Sequence, residues 1–309
     1  MISKIFNNGW DNYNPICDYQ EVLIKNLKAD VLIHSTWYTD DYHKEVNEWL
    51  DQNPVKTMII ISFFDQHIAK KEMFADRDIS IREIGYYNGP HFFDFWAKFT
   101  QDHMILPADN ELLDYQLINK PFLSYNRKPH DHRLELWRQF VANGLESKGI
   151  TTMNDIKQLD KDVDPKRWAP PGGSPIVNDI SSLGRTDLWC SSFLNIVTET
   201  WFDINRVYFV SEKIYKPIVG LRPFFVYAED LGLRWLHARS FKTFEEDFKD
   251  IYPNTITKDN LVSFLKILSD QPTSYLHQKY VALQDKILYN RDRFIQYVAE
   301  NDQRINSDF

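Results

Sequence analysis

The sequence predicts an α/β fold of two domains, each built on a parallel sheet, followed by C-terminal helices. Three observations carry this. Strand-like apolar runs alternate with helically spaced segments in the first part of the chain, as they do when helices cover the faces of a parallel sheet. Around Leu106 to Lys120 the pattern turns polar and mixed, and "KPFLSYN" then restarts the rhythm. The end of the chain, Ser274 to Glu300, keeps helical spacing without a break. A chain of 309 residues is also long for one core and natural for two domains of roughly 100–200 residues each.

In the first domain, "ADVLIHS" (Ala29 to Ser35) reads as a buried strand ending in polar residues. "DDYHKEVNEWLDQNP" follows with helical apolar spacing and stops at Pro54. "KTMIIISFFD" (Lys56 to Asp65) is a second strand, "ISIREIGYY" (Ile79 to Tyr87) a third, and "HFFDFWAKFTQ" an aromatic-rich helical segment. The second domain opens on a strand at Phe122 to Tyr125, followed by a turn and a helix from His132 to Gly144. "APPGGSP" (Ala169 to Pro175) is a loop. "FLNIVTET" and Val207 to Val210 are strands, Ser211-Glu212-Lys213 begin a helix, and "RPFFVYA", "FKTF" and the helical "LVSFLKILSD" follow. The domains are placed at residues 1–118 and 119–288. Residues 289–309 are expected to form a C-terminal helix packing back on the first domain.

Composition narrows the function classes. Hydrophobic residues make up 43% and aromatics 15%, enough for folded cores and against global disorder. A net charge of −8 rules out a surface that is basic throughout, so non-specific nucleic-acid binding is disfavoured. Cys17 and Cys190 are far apart and lack any metal-ligand spacing, which suits two reduced thiols in a cytoplasmic protein. The opening "MISKIFNNGWDNYNP" has no apolar signal-peptide core, and no apolar run approaches the ~20 residues that span a bilayer. The expectation is a soluble cytoplasmic protein without a transmembrane segment.

In open α/β sheets ligands sit at the carboxyl ends of strands, so the polar residues there are the candidates. "FLSYNRKPHDHR" ends a strand at Ser124-Tyr125-Asn126, and Arg133 opens the next helix. A cation there opposes the helix dipole but, with the backbone N–H groups, suits a phosphate. A solvated loop with Arg133 paired to Asp131 or Glu135 is the plainer alternative. "NIVTET" ends in Glu199 and Thr200, which fit a surface strand end as well as a ligand role. Ser211 or Glu212 capping a helix needs no ligand either. Lys213 in a first turn gains little unless an anion is near. Together, two cations at two helix starts and an acceptor for vicinal hydroxyls, Glu212, match a diphosphate plus a ribose.

The segments "FLSYNRKPHDHR" and "VYFVSEKIYKPIVGLRPFFVYA…FKTF" resemble microbial and phage glycosyltransferase-like proteins, which carry "NRxPRxHR" and "(S/T)EKxxKPIxxxxPF" motifs. The second is also similar to the "(V/I)TEKxxN" signature of α1,3-fucosyltransferases, whose GT-B fold has two Rossmann-like domains facing a cleft. The resemblance covers Lys120 to Phe244. It implies that Glu212 holds the nucleotide ribose, while Lys213 and Arg133 hold the diphosphate. Asn126, Glu199, Thr200, Ser211 and Lys216 complete the candidate donor-site set. Ser211 stands for the usual threonine, Lys216-Pro217 stand where asparagine is common, and His130 replaces the first arginine of "PRxHR". A GDP-fucose donor therefore does not follow.

The expected reaction is transfer of a hexosyl or pentosyl group from a nucleotide-diphosphate sugar to an acceptor hydroxyl, inverting and independent of a metal or cofactor. Arg133, Lys213 and the helix starts would stabilise the leaving diphosphate, and there is no Asp-x-Asp motif flanked by strands. "TDDYH" has adjacent acids, which solvated helix-start residues explain about as well. The base is expected in the first domain, among His34, Asp40, Asp41, Asp65 and Glu83, with Asp65, His34 and Asp41 placed first. A glycan is the expected acceptor. A hydroxylated base in phage DNA is the runner-up, and would need a basic stripe around Arg127 and Lys128. The alternative function is a non-catalytic nucleotide-sugar or glycan-binding module, with Tyr86, Tyr87, Phe92, Phe93 and Trp96 as sugar-stacking candidates. A dinucleotide oxidoreductase is disfavoured because the chain has no GxGxxG.

Overall fold

The computed structural model describes residues 4–7, 28–35, 40–62, 71–85, 106–126, 129–153, 185–199, 212–228 and 231–307, with residues 97, 100, 101, 104 and 183. At positions 7, 34, 35, 61, 62, 83–85, 212, 231, 232 and 301–307 only the backbone is described. The fold is α/β, and the described residues form two four-stranded sheets whose strands are all parallel. The chain divides into two compact units, Met1–Phe95 with Glu300–Phe309, and Trp96–Ala299.

The first unit carries β1 (Lys4–Asn7), β2 (Val31–Ser35), β3 (Thr57–Ser62) and β4 (Ser80–Gly85), side by side in chain order. Strands covered on both faces read as unbroken apolar runs, and "VLI" and "MIII" do so. Helix α1 (Asp40–Gln52) returns from β2 to β3. Its acidic first turn suits the dipole, and Tyr42, Val46 and Leu50 form its buried stripe at helical spacing. That stripe joins Phe6, Val31, Ile33, Met58, Ile60 and Phe74 in one core. The register of β2 on β3 is locked at its start by Asp30. Its Oδ2 accepts from the backbone N–H of Lys56 at 2.8 Å and of Thr57 at 3.0 Å. These bonds hold the carboxyl below its usual range, the Lys56 N–H contributing most. Their stability is present above the unfolded-state pKa and lost as pH falls through the lower folded value.

The second unit is built on β5 (Lys120–Ser124), β6 (Ile150–Thr151), β7 (Ser192–Val197) and β8 (Phe224–Val226), in the order β6-β5-β7-β8. The chain leaves β5 through α3 (Asp131–Ala142) to β6 on one side, then crosses back to place β7 on the other. A short helix α2 (Asp109–Leu112) precedes β5, and α4 (Thr186–Ser191) precedes β7. Helix α3 buries Arg133, Leu136 and Phe140, and sets Phe140 against Phe122 of β5 at 5.4 Å between ring centroids. It stops at Gly144, whose φ of +69° is the left-handed geometry that glycine adopts without strain. Gly149 is required for another reason: a Cβ there would lie 2.4 Å from the Phe122 ring.

Helix α5 (Glu212–Val219) joins β7 to β8 and contains Pro217. Its end is capped by Arg222 N–H donating to the Pro217 carbonyl at 2.9 Å. The left-handed position of that cap falls on Leu221, φ +52°, although Gly220 stands next to it. Gly220 is committed elsewhere. A Cβ there would sit 2.6 Å from the buried Trp189 indole, whose Nε1 donates to the Gly220 carbonyl at 2.9 Å. Helices α6 (Leu231–Ala238), α7 (Leu261–Ser269) and α8 (Thr273–Ser307) follow. Phe264 of α7 packs edge-on against Phe225 of β8 and Phe248 at 5.4 and 5.0 Å.

Gly220→Ala is expected to destabilise the chain by about 1–3 kcal/mol through overpacking against Trp189. A lower urea midpoint at unchanged slope would show it.

Candidate functional site

In the second sheet the strand order reverses between β5 and β7, because β5 leads on to β6 on one side and β7 leads on to β8 on the other. The crevice at such a reversal, outside the carboxyl ends of the strands, is where open α/β sheets bind ligands. Here it lies between the residues after β5, Tyr125 and Asn126, and those after β7, Thr198 and Glu199. Among the described residues of the first sheet, the order β1 to β4 follows the chain and has no reversal.

The strand ends here carry small polar groups that bond to one another. Thr198 Oγ1 donates to Asn126 Oδ1, bridging the two strand ends. Asn126 Nδ2 donates to Ser124 Oγ at 3.2 Å, and its backbone N–H reaches Thr152 Oγ1 at 2.9 Å. Thr152 Oγ1 in turn donates to the Asn126 carbonyl at 3.1 Å. Ser124, Asn126, Thr151, Thr198 and Glu199 are all buried. Thr151 Oγ1 has no hydrogen-bond partner among the described residues.

Arg133 brings a buried cation to this setting, near the buried Glu199. It sits in the first turn of α3, three residues past the N-cap His130. Its side chain is buried and donates Nη2 to the Thr198 carbonyl at 2.8 Å. The alternative of a solvated loop is therefore wrong for this residue. The guanidinium points back to the strand ends, where the sheet order reverses. His132 places Nε2 2.9 Å from the Glu199 carbonyl. Glu199 takes part through that backbone oxygen, with its residue buried at the end of β7.

The structure thus brings Asn126, Arg133 and Glu199 together at one crevice. Lys213 and Lys216 lie on α5, in its first and last turns, and both are half-buried. A helix joining adjacent parallel strands runs back antiparallel to them, so the start of α5, with Glu212 and Lys213, points to the carboxyl edge. Ser211, Thr200, Asp65 and the strand expected at Val207 to Val210 lie outside the described residues. So do Arg127, Lys128, Tyr86, Tyr87, Phe92, Phe93 and Trp96. Of the proposed bases, Asp40 and Asp41 are exposed in the first turn of α1. His34 lies near the end of β2, paired with Ile61, and Glu83 lies inside β4, paired with Ile60. Among the described residues, no cluster of three or more His, Cys, Asp or Glu is placed to hold a metal ion. None of their helices is long and apolar enough to cross a membrane.

Sequence reasoning passed over Thr198, Thr152 and His132. Thr198 was visible in "NIVTET", but its partner Asn126 is 72 positions away and becomes adjacent only because β7 pairs with β5. It also passed over Arg222, a second buried arginine at the opposite edge of the sheet. Its Nε donates to the Ser192 carbonyl at 2.8 Å, and its Nη atoms reach the carbonyls of Leu112, Leu221 and Cys190. Burial pulls this guanidinium below its usual range.

No protein-family model matches the chain, and no curated protein matches its sequence.

Thr198→Val keeps the shape but removes the hydroxyl that Asn126 Oδ1 accepts from. A loss of about 1–3 kcal/mol is expected for the buried acceptor left unpaired, measured by denaturant unfolding.

Proposed function

We propose that this chain is a glycosyltransferase that takes its sugar from a nucleotide-diphosphate donor, and that its two α/β units correspond to the two domains of a GT-B-type enzyme. One observation carries the reading: a buried arginine in the first turn of a helix, at the strand-order reversal, among hydroxyl and amide groups. Buried cations are expensive to maintain, and a site for an anion is one reason to place one at this edge. The resemblance of "NRKPHDHR" and "SEKIYKPI" to glycosyltransferase motifs supports the same reading, since both segments lead into helices that start at this edge.

In this reading the first turns of α3 and α5, with Arg133 and Lys213, take the diphosphate. They stabilise the charge that develops as the sugar–phosphate bond breaks. Glu212 accepts from the ribose hydroxyls. The acceptor hydroxyl loses its proton to a base, for which Asp65, His34 and Asp41 are the candidates. A glycan hydroxyl is the acceptor favoured by the net charge of −8, which gives nucleic acid no general electrostatic attraction.

The test is thermal unfolding with UDP, GDP and their sugars. A ligand at 100 times its Kd adds about 2.7 kcal/mol, which is several degrees of Tm. Lys213→Ala should remove that gain while leaving the unliganded Tm close to wild type, because the side chain is half-buried on a helix surface. Arg133→Ala should remove the gain and also lower the unliganded Tm, since Arg133 is buried and bonded to β7. Unchanged nucleotide stabilisation in Lys213→Ala would defeat the proposed clamp. Donor binding without sugar transfer to any acceptor would mark a binding module instead.

A further inference from the structure

Arg133 does not act alone on the end of β7. It holds the Thr198 carbonyl at 2.8 Å, and the preceding residue, His132, holds the next carbonyl, that of Glu199, at 2.9 Å. Two successive side chains of one helix start therefore grip two successive carbonyls at a strand end. A carbonyl oxygen only accepts, so Nε2 of His132 carries the hydrogen and the neutral ring is the Nε2–H tautomer. The His130 ring stacks on it, 5.9 Å between centroids and 11° between planes. The groups facing His132 include His130, Asp131 and Arg133 from its own segment and the Glu199 backbone just after β7.

Resting on the reading of this edge as a diphosphate site, we propose that His132 is its positioning residue: its Nε2–H fixes the strand end from which the chain runs on to Lys213, and a proton added at Nδ1 makes phosphate binding pH-linked. The two effects have one origin. Because the Nε2 proton is committed to Glu199 in either charge state, the anchor persists across pH while the ring charge changes. In the unliganded protein burial, first of all, and then the nearby Arg133 and His130 hold the imidazole below the usual histidine range. An anion at the start of α3 favours the imidazolium, so the liganded pKa lies above the unliganded one. Affinity for a ligand of constant charge must then rise as pH falls through the liganded value and level off below the unliganded one. Each unit between the two values corresponds to about a tenfold change in affinity.

Glutamine separates the parts, because its amide nitrogen reaches the position of Nε2 and donates without titrating. In the full-length chain, amide exchange would be followed in Asn195–Glu199 and Lys213–Val219 for wild type, His132→Ala and His132→Gln. Binding of UDP-glucose and GDP-mannose, whose diphosphate charge is constant, would be measured from about pH 5.5 to 8.5. Exchange at the β7 end should rise about tenfold in His132→Ala and return in His132→Gln. Wild-type affinity should tighten severalfold toward acid pH, and His132→Gln should bind with the neutral-pH affinity throughout. Unchanged exchange in His132→Ala, or a wild-type pH slope in His132→Gln, would overturn the proposal. If exchange responds as expected but neither nucleotide sugar binds wild type, the donor-site reading fails, the pH linkage fails with it, and the anchoring role stands.

Discussion

The second unit depends on the burial of one cation, the Arg222 guanidinium. It is solvated by backbone carbonyls from four separate places: Leu112 at the end of α2, Cys190 in α4, Ser192 at the start of β7, and Leu221 after α5. Tyr280 of α8 closes the cage, its hydroxyl 3.1 Å from the guanidinium and within reach of the Leu112 and Leu221 carbonyls. Each of these oxygens would otherwise be a buried acceptor at a chain reversal, and the fork geometry of arginine serves several of them at once. Leaving one such buried acceptor unsatisfied typically costs about 1–3 kcal/mol. The cage therefore fixes where β7 begins. With the start of β7 fixed between β5 and β8, the far ends of β5 and β7 come level, and the crevice between Asn126 and Thr198 exists.

Arg133 repeats the chemistry at the opposite edge with a different result. Both arginines donate to main-chain carbonyls from a buried position. Arg222 completes the solvation of turns that are closed off by α2 and α8. Arg133 lies instead in the first turn of a helix where the strand order reverses and the neighbouring groups are hydroxyls and an amide, already bonded to one another. Ser124, Asn126, Thr152 and Thr198 are thus held in place by one another, while the buried Thr151 hydroxyl beside them has no hydrogen-bond partner among the described residues.

The elements legible in the sequence were those with a long or regular signal. β2, β3 and β4 were visible as apolar runs, α1 and α8 by helical spacing, and the start of α3 by the polar turn before it. β1 and β6 were not, having four and two residues, too few to show a period. The run "PIVGLRPFFVYA" hid most. Its uniform apolarity concealed the end of α5 at Val219, a cap on Leu221, and a strand confined to Phe224–Val226. Arg222 looked like an interruption there, because its partners are carbonyls, which every residue has and no sequence names. The candidate site residues divide the same way. Arg133, Asn126, Glu199 and Lys213 followed from their positions after strands or at helix starts. His132 and Thr198 work through backbone oxygens or through a partner brought near by the β5–β7 pairing, and neither condition leaves a local pattern.

The two arginines are linked through α5. Arg222 N–H caps that helix, the Trp189 indole holds the Gly220 carbonyl beside the cap, and the cage fixes Leu221 in its left-handed turn. An eight-residue helix held this firmly at one end has little freedom to swing at the other, which is the end bearing Glu212 and Lys213. A strained non-glycine turn, worth roughly 1–2 kcal/mol, is tolerable where a saturated buried cation over-determines it. The direction of α5 is thus set at the edge of the sheet away from the crevice, and Gly220 is kept for contact with Trp189 while Leu221 takes the turn. The helix that begins with the charged pair Glu212-Lys213 is thus anchored, at its far end, by the buried arginine inside the second apolar run.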